Sequence, residues 1–203
     1  MIAVITFYTP EYKQEADEWK KCCENFLTCP IKSYPMSSKG SWVHNCTMKA
    51  DVILRALDEF NCGIVWTDAD ARFRGVPIIF EKLFNYDFGC YWIPNVWNQP
   101  RNAHLKPWSR GNEALNGSTL YFNNTEKSKK LLYDWKIESE ANPTRWEQQS
   151  LQKVWEQNDI NGLRTYNFDQ GYAKVFDAPW FEGQYPIIIE QMQASRRLKS
   201  QVR

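Results

Sequence analysis

Two carboxylates two residues apart, Asp68 and Asp70, close the apolar run "GIVWT" (63–67). Alternate side chains of an extended chain point the same way, so an Asp-x-Asp pair at a strand end presents both carboxylates to one side. Hard divalent cations such as Mg²⁺ take oxygen ligands, commonly one or two carboxylates completed by substrate phosphates. A cation held there neutralises charge developing on a departing diphosphate, which is Lewis-acid catalysis. The same pair also fits a solvated turn, so its surroundings decide between the two readings.

Other residues bear chemistry too. Glu147 in "RWEQQSLQKVW" and Asp169 in "NFDQGY" are carboxylates that could take a proton from a hydroxyl, with Glu147 the better candidate. Their plain alternatives are a polar helix face and a turn carboxylate before Gly171. Lys49 stands at the start of an expected helix, where a cation faces the positive end of the helix dipole, and that favours a role for it. The segment from Pro94 to Asn116 has no clear periodicity and carries Trp97, Arg101, His104, Trp108 and Arg110, types that suit a sugar or a phosphate. Structureless stretches of that length are usually functional loops.

The elements that must position these groups alternate in the first half. "IAVITFY" (2–8) reads as a strand, and 11–28 as a helix with Ala16, Trp19, Cys22 or Cys23, and Phe26 on one face. "CPIKSY" is a second strand. A helix with the stripe Val52, Ile53, Ala56, Leu57 and Phe60 follows, and then the strand "CGIVWT". Such alternation predicts an open, mostly parallel α/β sheet that binds ligands beyond the carboxyl ends of its strands, where Tyr8, Thr9, Asp68 and Asp70 all fall. Strands "YDFGCYWI" (86–93) and "STLYFNN", helices over 126–140 and about 145–158, and a basic tail with Arg196 and Arg197 complete the chain.

Composition limits the options. The 203 residues, 43% hydrophobic and 24% charged, can bury a substantial core as one domain. A net charge of +1 provides no global field for nucleic acid or an anionic membrane. No apolar run approaches the roughly 20 residues needed to span a bilayer, and Met1–Phe7 reads directly as a strand rather than a leader. Six cysteines without a Cys-x-x-Cys pair give no zinc signature and point to reduced thiols in a cytoplasmic protein.

Taken in order, "NCTMKADVILRAL", "VWTDADARF", "NGSTLYFNNTEKSKKLLYDW", "EQQSLQKVW" and "IIIEQMQASRRLK" resemble the nucleotide-diphospho-sugar transferases of GT-A fold, especially their small bacterial and phage-type members. The resemblance covers nearly the whole chain. It implies a single Rossmann-like GT-A domain over 1–203, with a mixed, mostly parallel central sheet flanked by helices. It also implies a nucleotide-sugar donor, UDP-linked, and a Mn²⁺ or Mg²⁺ cofactor.

Carried onto this chain, the resemblance makes Asp70 the main metal ligand, with Asp68 binding the donor ribose or completing the metal shell. Tyr8, Thr9 and Tyr12 would line the nucleotide pocket, and Lys49 would reach the diphosphate or donor sugar. Gly117, Ser118 and Thr119 would form the floor under the sugar, and Glu147 and Gln148 would lie near the acceptor hydroxyl. Many such enzymes add a late histidine to the metal, but this chain has only His44 and His104. Either Glu190 substitutes, or the protein supplies only the Asp pair.

The acceptor could be a glycan, a protein or a hydroxymethylated pyrimidine of phage DNA. Arg101, His104, Trp108 and Arg110 are the candidate contacts. For DNA, Arg101, Arg110, Arg196 and Arg197 would meet phosphates, with the base flipped out of the duplex. A nucleotide-sugar hydrolase and a non-catalytic nucleotide- or carbohydrate-binding module share the donor site and remain alternatives.

Overall fold

A computed structural model describes residues 1–94, 113–159, 162–177 and 185–200. Its centre is a six-stranded sheet built from β1 (Ile2–Tyr8), β2 (Ile31–Pro35), β3 (Gly63–Thr67), β5 (Phe88–Ile93), β6 (Ala114–Phe122) and β7 (Thr165–Asn167). The spatial order is β2-β1-β3-β6-β5-β7. Only β6 runs against the others, so the sheet is mixed and mostly parallel. A small second sheet pairs β4 (Ala71–Phe73), β9 (Ile189–Gln191) and β8 (Lys174–Val175) in the order β4-β9-β8.

Period-2 alternation divides the strand side chains between two cores. Ala3, Ile5, Ile64, Trp66, Leu120 and Phe122 face one side, where α3 (Lys49–Phe60), α4 (Glu126–Ala141) and α5 (Glu147–Asp159) pack. Val4, Val65 and Tyr121 face the other, against α1 (Lys13–Phe26), the small sheet and a 3₁₀ segment over Ile78–Asn85. Both faces are covered, which is why β1 and β3 read as continuous apolar runs. Local signals mark the boundaries. Asn61 ends α3 in the left-handed region (φ 48°), and Thr125 accepts the Ser128 backbone N–H to start α4. Gly63 lets β3 pack closely on Tyr121, whose hydroxyl would lie 2.8 Å from a Cβ there and would have to shift.

Every long element expected from the sequence is present, with shifted ends. The expected helix over 11–28 is a 3₁₀ turn at Pro10–Tyr12 followed by α1, and the aperiodic segment ends earlier than expected because β6 already begins at Ala114. The elements not anticipated are short: α2 (Trp42–Cys46), α6 (Ala194–Ser200), β4, β7, β8, β9 and the 3₁₀ segments over Ile78–Asn85 and Gln170–Tyr172. Strands of two or three residues carry too little alternation to be read from sequence. Among the described residues, no helix is long and apolar enough to cross a membrane.

Candidate active site

Strands β1 and β3 are parallel neighbours, and their carboxyl ends open into a cleft. The chain leaves β1 for α1 on one face and returns to β3 from α3 on the other. The crevice at such a reversal is where open α/β sheets bind ligands. Phe7, Tyr8, Thr9 and Tyr12 form its β1 side, while Asp68, Ala69 and Asp70 form its β3 side. A buried hydrogen bond from Trp19 Nε1 to Thr67 Oγ1 (2.7 Å) pins the end of β3 to α1.

The acid pair is held on two sides. The Asp68 backbone N–H donates to Ser118 O (3.0 Å), and Ala71 N–H donates back to Asp68 O (2.9 Å), fixing the turn. Asp68 Oδ1 accepts from Trp66 Nε1 (3.2 Å) and forms an ion pair with Lys49 Nζ (2.8 Å), while Oδ2 has no hydrogen bond within the described residues. Asp70 Oδ2 accepts the Ala194 backbone N–H (2.6 Å), so this carboxylate also closes the start of α6 (Ala194–Ser200). Met192 N–H donates to Asp70 O (3.1 Å). Between these contacts, Gln193 adopts φ 53°, a conformation uncommon outside glycine, and it lines the cleft together with Ser195.

Burial, and then the neighbouring Asp68 charge, push the Asp70 carboxyl up to about 6. The Tyr12 phenol is also pushed up, by burial first and then by Asp70, so it stays a protonated donor. Lys49 is 4% exposed. Burial alone would favour its neutral form, but Asp68 and Glu147 outweigh burial and keep it an ammonium. Its Nζ donates to Glu147 Oε1 (2.9 Å) and to Gly117 O (3.2 Å) and sits over the Trp66 ring, 5.5 Å from its centre. Helix α5 therefore reaches the crevice through its first residue.

These groups fit a hard divalent cation. The donors are all oxygen, and a cation would offset the burial and the neighbouring Asp68 charge that raise Asp70. Among the described residues, no group of three or more His, Cys, Asp and Glu side chains converges. Among the described residues, Asp68 and Asp70 would hold such a cation, leaving the remaining positions to diphosphate and water.

The other expected residues are placed as follows. Tyr8, Thr9, Tyr12, Lys49, Asp68, Asp70 and Glu147 meet in the cleft. Glu190 does not join them. Alternation along β9 gives Gln191 to the interior and Glu190 to Arg74, 2.9 Å away. Asp169 likewise acts elsewhere: its Oδ1 accepts Gly171 N–H (2.8 Å), which makes it the turn carboxylate.

Gly117, Ser118 and Thr119 lie beneath the acid pair rather than on the cleft wall. Gly117 is packed against α5, where a Cβ would sit 3.2 Å from Gln148 Cβ and 3.4 Å from Glu147 Oε1. The Ser118 hydroxyl bonds Asn116, while Thr119 Oγ1 donates to Tyr172 O (2.8 Å) and accepts from Gln191 Nε2 (3.2 Å). Arg196 pairs with Asp177 (2.5 Å) and Arg197 with Glu15. Trp97, Arg101, His104, Trp108 and Arg110 lie outside the described residues.

Sequence reading missed Trp42, Asn45 and Cys46, which line the cleft from α2. Ser41 after Gly40 was the available signal, because its side chain accepts the His44 N–H (3.2 Å) as an N-cap. Also missed was the ion cluster behind the cleft. Buried Arg72 meets Glu15 (2.5 Å) and Glu18 (2.6 Å), binding β4 to α1.

The family described as nucleotide-diphospho-sugar transferase matches residues 12–194. Among solved structures, the chain is similar to a glycosyltransferase involved in the glycosylation of the major capsid of PBCV-1, with a TM-score of 0.63 and 13% identity. That superposition covers 100% of this chain and 99% of the other, and at this identity it speaks to the shared fold. No curated protein sequence matches the chain.

Proposed function

The chain belongs to the nucleotide-diphospho-sugar transferase family, and from that premise we propose that it is a metal-dependent glycosyltransferase moving a sugar from a UDP-sugar to an acceptor hydroxyl. The observation that carries the proposal is the meeting of Asp68, Asp70 and Glu147 in one cleft at the β1 and β3 ends.

Phe7, Tyr8, Tyr12 and Trp42 offer aromatic surface for the nucleoside, and the Tyr12 hydroxyl is a donor for ribose or phosphate. Asp68 Oδ2 and the Asp70 carboxylate would hold Mn²⁺ or Mg²⁺. When bound, that cation supplies Lewis-acid stabilisation of the departing diphosphate. The bond between the anomeric carbon and the diphosphate oxygen breaks, and the nucleoside diphosphate leaves with the electron pair. The acceptor oxygen bonds to the anomeric carbon and gives its proton to Glu147. Lys49 occupies Oε1 of that carboxylate, and no hydrogen bond within the described residues engages Oε2, the oxygen that takes the proton.

A glycan or protein hydroxyl suits the acceptor better than a DNA base. Two of the four arginines considered for phosphate contact, Arg196 and Arg197, are held by Asp177 and Glu15. The glycosyltransferase of similar fold is involved in the glycosylation of a major capsid, which is in keeping with a protein-linked acceptor. Six cysteines, none in a disulfide, fit a reducing cytoplasm.

The test is UDP release from a panel of UDP-sugars, with glycan, protein and hydroxymethylated DNA acceptors, in Mn²⁺ and in EDTA. Acceptor-stimulated, metal-dependent release supports transfer. Release at one rate with or without every acceptor would make the protein a hydrolase instead.

A further inference from the structure

The ammonium of Lys49 lies against three protein oxygens, donating hydrogen bonds to two and forming an ion pair with the third. These are Asp68 Oδ1 at 2.8 Å, Glu147 Oε1 at 2.9 Å and Gly117 O at 3.2 Å. The side chain is buried, with the Trp66 ring beneath it. A direct contact from Lys49 to a diphosphate would therefore break one of these bonds. The residue is committed to the protein.

We propose that Lys49 is a positioning residue that fixes Asp68 and Glu147 through one oxygen each and, as a resident cation, makes capture of a divalent metal depend on the incoming diphosphate. This rests on the donor-site reading above. Asp68 Oδ1 is already neutralised by an ammonium 2.8 Å away. A free metal ion approaching Oδ2 meets that buried ammonium a few ångströms off, and the like charges repel. Asp70 offers limited compensation, because one of its oxygens is taken by the Ala194 backbone N–H. A nucleoside diphosphate changes the balance by bringing its own negative oxygens to the same place. Metal and nucleotide then bind as a pair, and Lys49 keeps the acid pair ordered before they arrive.

The experiment follows Mn²⁺ binding by the loss of its free-ion electron paramagnetic resonance signal, alone and with saturating UDP. It uses the wild type, Lys49→Met and Glu147→Gln. The wild type should bind Mn²⁺ weakly alone and at least tenfold more tightly with UDP. Lys49→Met should bind Mn²⁺ alone at least tenfold more tightly than the wild type and show a smaller gain from UDP, a change that simple loss of structure does not produce. Glu147→Gln retains the ammonium and removes a negative charge, so its affinity for Mn²⁺ alone should fall.

Unchanged or weaker binding of Mn²⁺ alone by folded Lys49→Met overturns the inference and leaves the donor-site reading standing. If that variant does not fold, unchanged or tighter binding by Glu147→Gln overturns it. Absence of Mn²⁺ binding by the wild type even with UDP overturns the metal-dependent reading itself, and this inference with it.

Discussion

Lys49 Nζ bridges Asp68 Oδ1 at 2.8 Å and Glu147 Oε1 at 2.9 Å. The strand-end acid pair and the first residue of α5 are thus one electrostatic unit, although Lys49 and Glu147 are 98 residues apart.

Asp70 has two jobs that substitution can separate. Asp70→Asn keeps an oxygen for the Ala194 N–H but loses the charge. Turnover should fall on the order of a hundredfold or more while the melting temperature stays close to wild type. Asp70→Ala should lose activity equally and cost about 1 kcal/mol of stability as well, because the start of α6 loses its acceptor. Parallel kinetics and denaturant melts check this.

Glu147 and Asp169 should separate cleanly. Glu147→Gln removes the proton acceptor in the cleft, so at saturating Mn²⁺ kcat should drop by about 10²–10⁴-fold with donor KM little changed. Asp169→Asn retains an acceptor for the Gly171 N–H and lies outside the cleft, so its kcat should match wild type. Steady-state rates of the two variants on one donor and acceptor decide the assignment.

Arg72 is a test of the foundation rather than the chemistry. Arg72→Met would leave Glu15, buried at 5% exposure, with Arg197 as its remaining cation. Removing one partner of a buried pair costs about 3 kcal/mol or more. Urea titration should show that loss, and adding Glu15→Gln to Arg72→Met should recover part of it.

Acid stability should trace to Asp87. Burial would raise its carboxyl, but Arg164, through side chain and backbone, and the Thr125 hydroxyl outweigh burial and hold it below the ordinary value of 3.8. A depressed folded value contributes stability that is complete above the ordinary range and disappears as pH falls through the folded value. Asp87→Asn should therefore be less stable than wild type at pH 7, with the gap closing below about pH 4. Melting temperatures across that range check the sign.

The sequence showed much of this cleft because its parts carry local signals. The run "GIVWT" is an uninterrupted apolar strand, so Asp68 and Asp70 had to emerge at its carboxyl end. Lys49 drew notice for being a cation at the wrong end of a helix, and the structure explains it with two carboxylates. Glu190 illustrates what sequence could not show, since β9 has three residues and its facing depends on register with β4. Arg72 and Glu15 were hidden for a related reason. They are 57 residues apart, and nothing local tells a paired buried charge from a solvated one.

Thermal shift with UDP-sugars, in Mn²⁺ and in EDTA, tests the central claim most directly. A ligand at about a hundredfold over its Kd adds about 2.7 kcal/mol, which for a chain of this size is a rise of roughly 5–10 °C. The account predicts that rise with UDP-sugar and Mn²⁺ together, little with either alone, and none in Asp70→Asn. An equal rise in EDTA, or in Asp70→Asn with Mn²⁺, would contradict a metal-dependent donor site at Asp68 and Asp70.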